Sequence, residues 1–161
     1  MNDSIKKNLE ERFRGIKISA VKDNPLFISS SPDNALDILR SLKDQGYTHL
    51  ALISCVDWID KQKLELVYVL SSYFKNEHII LKTNIPRKKP NFKTVIDIFE
   101  NAEPYEREIH ELFGIHFEGH PRQIPLFLER DYDIPPFRKD FDTRGYVKKV
   151  FDEIPFVEED R

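Results

Sequence analysis

At 161 residues, with 25 Lys and Arg against 28 Asp and Glu, the chain carries a formal net charge of −3 and has the size of one domain, or of one domain with an arm. Hydrophobic residues make up 40% and charged residues 33%, enough for a core beneath an ionic surface, with no general attraction to nucleic acid or anionic lipid. The longest apolar runs, 50–53 and 66–70, are too short to span a bilayer and the N-terminus is charged, so a soluble, unexported chain is expected.

Ile5, Leu9 and Phe13 recur at every fourth position behind Asn2-Asp3-Ser4, which predicts a helix over 4–13 that ends near Gly15. Residues 16–21 and 26–29 are short apolar or alternating runs separated by Asp23-Asn24-Pro25, the pattern of a β-hairpin. A second helix follows: Ser31 can cap it, Pro32 suits its first position, Ala35, Leu36, Leu39 and Leu42 form a stripe, and Gly46 can end it. Residues 48–56, 64–71 and 78–85 are rich in β-branched, aromatic and leucine side chains and read as three strands, the first two joined by a polar loop at 60–63. Helix, two strands, helix, three strands is an α+β order: a two-layer sandwich of helices on a mixed β-sheet, α-β2-α-β3.

Pro86-Arg87-Lys88-Lys89-Pro90 interrupts that order and is expected to be a solvated loop. Reading it as a nucleic-acid strip is weak, because Phe92 is the one stacking aromatic nearby. From Pro121 onward five of the ten prolines fall in a stretch without sustained periodicity. Residues 1–120 are therefore read as the α+β domain and 121–161 as an extended, proline-rich arm. Its apolar residues, among them Ile124, Leu126, Phe127, Phe137, Phe141, Phe151 and Phe156, would be stabilised by about 1.5–3 kcal/mol for each large side chain fully buried. An arm of that kind is expected to wrap a partner.

The most informative stretch runs from Ala102 to Gly114. Pro104 fits a first helical turn, Glu103 and Glu106 complement the helix N-terminus, and Gly114 can serve as the stop. Tyr105, Ile109, Leu112 and Phe113 share one face, and Glu103, Arg107 and Glu111 run down the other at i+4 spacing. Glu108 falls on the flank of the apolar stripe, where Arg138 or Lys139 could neutralise it.

Catalytic readings of this region fail on spacing. Glu106 and Glu108 diverge on a helix, and His110-Glu111 meets Gly114 where an H-E-x-x-H motif needs a second histidine. His116 and His120 cannot share a helix across Gly119 and Pro121. Cys55, the only cysteine, cannot complete an iron–sulfur or zinc ligand set and reads as a small buried hydrophobe. The five glycines open no G-x-G or G-x-x-x-x-G-K phosphate loop. Asp57-Trp58, at a strand end, fits either a site or a turn carboxylate beside an interface aromatic. A metalloprotein built from Asp57, His110, Glu111, His116 and His120 is the alternative from another class.

Glu106-Arg107-Glu108 leading to Leu112-Phe113-Gly114-Ile115, then Phe117-Glu118-Gly119-His120-Pro121, then Phe137-Arg138-Lys139-Asp140-Phe141, resembles the C (30 kDa) subunit of complex I, the NADH:quinone oxidoreductase. The runs 52–58 and 66–70 are similar to the same family. The resemblance implies a non-catalytic structural and assembly subunit of the hydrophilic arm, on the cytoplasmic side of the membrane and reaching it only through the complex. It implies no cofactor in this chain; iron–sulfur clusters, with a flavin or nickel–iron centre, would sit in partners. Those partners would be the D-like (49 kDa, or hydrogenase large-subunit-like) and B-like chains of such a complex, with its I-like ferredoxin chain as a further candidate. Family motif and docking roles fall on Glu106, Arg107, Glu108, Phe113, Gly114, Gly119, His120, Pro121, Arg138, Lys139, Asp140 and Phe141. Departures at His110, Leu112, residues 122–126 and Asp142 are similar to relatives in membrane-bound hydrogenases, sulfur reductases and dehydrogenases for other electron carriers.

Overall fold

The computed structural model describes residues 2–20, 25–128 and 132–150. Its elements run α1 (Asn2–Arg12), β1 (Lys17–Ala20), β2 (Leu26–Ser30), α2 (Pro32–Asp44), β3 (His49–Trp58), a single 3-10 turn (Ile59–Lys61), β4 (Lys63–Ser72), β5 (Glu77–Pro86), β6 (Asn91–Lys93), α3 (Ala102–Phe113), β7 (His116–Glu118) and α4 (Thr143–Val150). The expected α-β2-α-β3 order is present. The Asp23-Asn24 turn and the arm residues Phe151, Pro155 and Phe156 lie outside the described residues.

Alternation of period two builds the sheet. In β4, Leu64, Leu66, Tyr68 and Leu70 are buried, whereas Glu65, Val67 and Val69 between them are not. β5 repeats the pattern with Ile79, Leu81, Thr83 and Ile85 facing inward. Opposite parities on paired strands would put apolar residues on both faces, so the shared parity fixes the register: Leu64 pairs with Ile85, Leu66 with Thr83 and Leu70 with Ile79. The five strands lie in the order β1-β2-β5-β4-β3. β2 and β5 run parallel and the other neighbours antiparallel, which makes the sheet mixed. A parallel pair cannot be closed by a tight turn, and α2 with the β3–β4 hairpin supplies the long connection.

The inner face packs on the helices. Ile5 and Leu9 of α1, Ile38, Leu39 and Leu42 of α2, and Ile109 of α3 join the buried strand residues in one core. Pro32 opens α2 and Gly46 ends it in the left-handed conformation, φ 95°. The Gly46 N–H donates to the Lys43 carbonyl and the Tyr47 N–H to the Leu42 carbonyl, each at 3.0 Å, which satisfies carbonyls that the helix end would leave bare. Ser31 sits at the N-cap without a side-chain cap bond. A small parallel pair, β6 with β7, places the buried rings of Phe92 and Phe117 opposite each other and anchors the segment before and after α3.

Two expectations are corrected. The 86–90 segment is not a solvated loop throughout: Lys88 and Lys89 are exposed, but Arg87 is buried, with its N–H bonded to the Gln62 carbonyl at 3.1 Å. The stretch after Pro121 is not without helix, because α4 occupies 143–150. Asp142 nucleates α4 by accepting the Gly145 N–H on its side chain at 2.9 Å and the Tyr146 N–H on its carbonyl at 3.0 Å. Eight residues carry too few turns for a period to stand out.

Candidate interaction site

α3 lies against β3, and most of what holds the arm radiates from the C-terminal half of this helix and the neighbouring strand ends, with Gln123 also bonded to the Phe117 backbone of β7. Tyr105 donates its hydroxyl to the Ala51 carbonyl at 2.9 Å, and Asn101 its amide to the Leu50 carbonyl at 2.8 Å. Both bonds fix the helix on the edge strand. At its N-terminal end the carboxylate of Glu106 is fully buried, accepting the Val95 N–H at 2.7 Å and the Thr94 hydroxyl at 2.6 Å. Burial pushes this carboxyl up to about 7, only partly opposed by the two hydrogen bonds. Glu106, placed by sequence on the polar helix end, is thus a core residue that ties α3 to the loop after β6.

A different carboxylate sits under the arm. On β3, Ile53, Cys55 and Asp57 share the inward parity, and Asp57 is 3% exposed. Arg87, just beyond β5, reaches across to it with two parallel bonds, Nε to Oδ1 at 2.8 Å and Nη2 to Oδ2 at 2.9 Å. The same guanidinium then grips Asp140 of the arm through Nη2 at 2.5 Å and Nη1 at 3.1 Å. Asp57 also accepts the Lys139 backbone N–H at 2.9 Å. One cation between two carboxylates, each bound at both oxygens, is a geometry that guanidinium forms and ammonium does not. Arg87 holds both Asp57 and Asp140 below the usual carboxylate range, and their bonds raise Arg87 further. Burial, then the charge of Arg87, lowers Arg138.

Around this clamp the arm is fastened mostly by its backbone. The Phe137 N–H donates to the Leu112 carbonyl at 3.0 Å, and Arg138 donates Nε to the Phe113 carbonyl at 2.8 Å. Arg107 reaches from α3 to the Ile124 and Pro125 carbonyls at 3.1 and 2.9 Å. Glu111 accepts the successive N–H groups of Leu126, Phe127 and Leu128. Gly114 ends α3 with φ 71°, and a Cβ there would meet Pro135 Cγ at 2.7 Å, so its lack of a side chain lets the arm lie against the helix end.

Of the residues singled out by sequence, Arg107, Phe113, Gly114, Arg138, Lys139 and Asp140 meet at this seam. Phe113 packs edge to face on Phe137, with ring centres 5.8 Å apart, and Phe141 clusters with Tyr132 and Tyr146. Glu108 is half-buried but is served by neither proposed donor, since Arg138 goes to a carbonyl and Lys139 offers its backbone to Asp57. Gly119, His120 and Pro121 form a separate turn: His120 Nδ1 accepts the Arg122 N–H at 3.0 Å, and Nε2 lies 3.3 Å from the Glu103 carbonyl. His110 bonds the Ile115 carbonyl through Nδ1 at 2.8 Å, and His116 is exposed on β7. With Glu111 committed to the arm and Asp57 to Arg87, the proposed metal set is not brought together. Burial pushes the Cys55 thiol up to about 12. Sequence reasoning missed Arg87, which carries the clamp; the available signal was Asp57 at an inward strand position, where a carboxylate needs a cation.

The comparisons with known proteins agree with one another. Residues 28–147 match the family model described as the respiratory-chain NADH dehydrogenase, 30 Kd subunit. The C subunit of the NADH-quinone oxidoreductase of Rhodobacter capsulatus is 32% identical over 145 residues, covering 87% of this chain and 72% of that one. The C subunit of the F(420)H(2) dehydrogenase of Methanosarcina mazei is 38% identical over 112 residues, covering 68% and 71%. A chain of the membrane-bound sulfane sulfur reductase, an archaeal respiratory membrane complex, superposes with a TM-score of 0.88 at 32% identity, over 99% of this chain and 96% of that one. The trypsin-resistant fragment of Nqo5 superposes with a TM-score of 0.65 at 27% identity, over 73% of this chain and 98% of the fragment.

Proposed function

Because the chain belongs to the family of the respiratory-chain NADH dehydrogenase 30 kDa subunit, we propose that it is a structural and assembly subunit of the hydrophilic arm of a complex-I-like membrane oxidoreductase. The chains it supports are those that carry the quinone site and the terminal iron–sulfur cluster, of the D-like and B-like kinds, with an I-like ferredoxin chain as a further neighbour. Clusters and any flavin or nickel–iron centre belong to those neighbours, and the chain works on the cytoplasmic side of the membrane without crossing it. No helix among the described residues is long and apolar enough to span a bilayer.

The observation that carries this reading is the construction of the arm. Its backbone is held by Arg107, Glu111 and Asp57, while Ile124, Phe127, Ile134 and Phe137 remain 43%, 66%, 38% and 60% exposed. Large apolar side chains presented in a fixed geometry outside their own core are the mark of a protein–protein contact. The arm therefore docks on partner subunits, with the 137–141 turn and the α3 end as its base.

The equivalent subunit of a membrane-bound hydrogenase, sulfur reductase or F420H2 dehydrogenase is the second reading. It is favoured by the match over almost the whole chain to the sulfane sulfur reductase neighbour. Native mass spectrometry of the complex isolated from the host membrane separates the two by the co-isolated catalytic chains. The common reading is tested by replacing Arg107 or Arg138 with Ala: the amount of assembled complex falls, while turnover per assembled complex stays at the wild-type level. Normal assembly with lost turnover would refute it.

A further inference from the structure

The side of the sheet turned away from the helices has no cover among the described residues. The register that buries one parity of each strand aligns the other parity in rows across the sheet. Leu52 pairs with Val69, Val69 with Ile80, and Ile80 with Phe27, which makes an apolar band four strands wide. None of these four side chains is buried, and Leu52 is 39% exposed. Beyond Ser54, β3 presents Val56 and Trp58 on the same face, 36% and 38% exposed. A solvated outer face of an antiparallel pair would alternate to polar residues at these positions. Here it does not.

The charges on this face are of mainly one sign. Among the described residues, Lys17, Lys63 and Lys82 stand on it at outward strand positions against one carboxylate at such a position, Glu65, which lies 3.8 Å from Lys82; the turn after β3 adds Asp60 and Lys61. Lys82 also lies over the Phe27 ring at 5.7 Å, and Lys61, from the turn after β3, over Trp58 at 4.7 Å. The cations therefore rim and partly cover the apolar rows, in a chain whose total charge is negative.

We infer that the open face of the five-stranded sheet is a second docking surface, separate from the arm, and that it receives an apolar segment carrying Asp or Glu from another subunit of the complex. Charge complementarity selects this occupant: apolar side chains lie along the Leu52–Val69–Ile80–Phe27 row, and carboxylates meet Lys82 in the adjacent row and Lys63 beside Trp58 at the other end of the face. A second copy of this chain would set lysines against lysines. A membrane is a poorer fit, because the face is a strand surface with one pair of rings and no amphipathic helix. The inference rests on the proposed role in a complex.

Site-specific photo-crosslinking in the intact complex tests it, with a photoreactive residue placed at Val67, which pairs with Lys82 in the row beside the apolar one, or at Phe137 on the arm. The expected result is a crosslink from Val67 to a peptide of another subunit that contains Asp or Glu, and one from Phe137 to a different peptide. With Lys63→Glu and Lys82→Glu together, the Val67 crosslink falls at least fivefold while the Phe137 crosslink persists. A Phe137 crosslink without a Val67 crosslink overturns the second surface and leaves the arm reading intact. No crosslink from either position refutes the role in a complex itself. Crosslinks from Val67 to lipid or to a second copy of this chain also overturn the inference.

Discussion

The α+β body and the arm that follows it are held by different forces. Every buried hydrophobic residue among those described lies between Ile5 and Phe117, and none of the described residues from 121 to 150 is buried. The body is stabilised by removing apolar surface from water, as any small domain is. The arm is held mainly by carbonyls, amides and one ionic clamp; Phe127 and Phe137 stay largely exposed, while Tyr132, Phe141 and Tyr146 pack on one another. Attachment through backbone and charge leaves the apolar side chains available to a partner, which attachment through the same side chains would not. A subunit that must hold its own shape and still present a docking surface is served by this separation.

Removing Arg87 should give the largest effect, because it belongs to both regions. Its side chain is 9% exposed and that of Asp57 2% exposed, so Arg87→Ala leaves a buried carboxylate without its cation. Urea unfolding is expected to show a loss of about 3–5 kcal/mol, the usual result of breaking one side of a buried pair. Asp140 is 40% exposed at its side chain, and Asp140→Ala should lower the same unfolding free energy by less than about 1 kcal/mol while amides 137–141 exchange faster. Equal losses for the two variants would mean that the clamp serves the arm alone.

Much of the body could be read before the structure. Shared inward parity in β4 and β5, Pro32 and Gly46 at the ends of α2, and the apolar face of α3 are local patterns, and local patterns decide local structure. The clamp could not be read that way. Asp57, Arg87 and Asp140 are separated by 30 and 53 residues and come together only once β3, β4 and β5 are side by side. The same limit hid Glu106: the sequence assigned it to the helix N-terminus and put only Glu108 on the flank of the apolar stripe, whereas the Thr94-Val95 loop packs over Glu106. At the arm, the described residues of 121–142 form no helix or strand, and the proline count hid the short helix α4 that follows.

The two buried carboxylates should also respond to pH with opposite sign. Glu106 is raised from 4.5 to about 7, so between those values the folded state binds more protons than the unfolded state and stability falls as pH rises. A shift of that size corresponds to about 3 kcal/mol lost across pH 4.5 to 7. Asp57 is lowered from 3.8, so its contribution is complete above that value and disappears as pH falls through the lower folded value. Glu106→Gln can keep an oxygen for the Val95 N–H and an amide for the Thr94 oxygen. It should flatten the unfolding free energy between pH 4.5 and 7 and leave the acid limb unchanged. A Gln variant with the wild-type slope would place the proton elsewhere.

The smallest effect tests the arm by itself. Glu111 binds three successive amides of the arm but is only partly buried on α3. Glu111→Ala should therefore weaken only the local attachment, by about 1 kcal/mol, which is roughly fivefold faster hydrogen exchange at Leu126, Phe127 and Leu128. The global unfolding free energy should stay within about 0.5 kcal/mol of wild type. If these amides exchange through whole-molecule unfolding instead, the substitution will change their rates only as much as it changes global stability. In that case arm and body would be one cooperative unit, and the distinction between a core held by burial and an arm held by polar bonds would be geometric without being energetic.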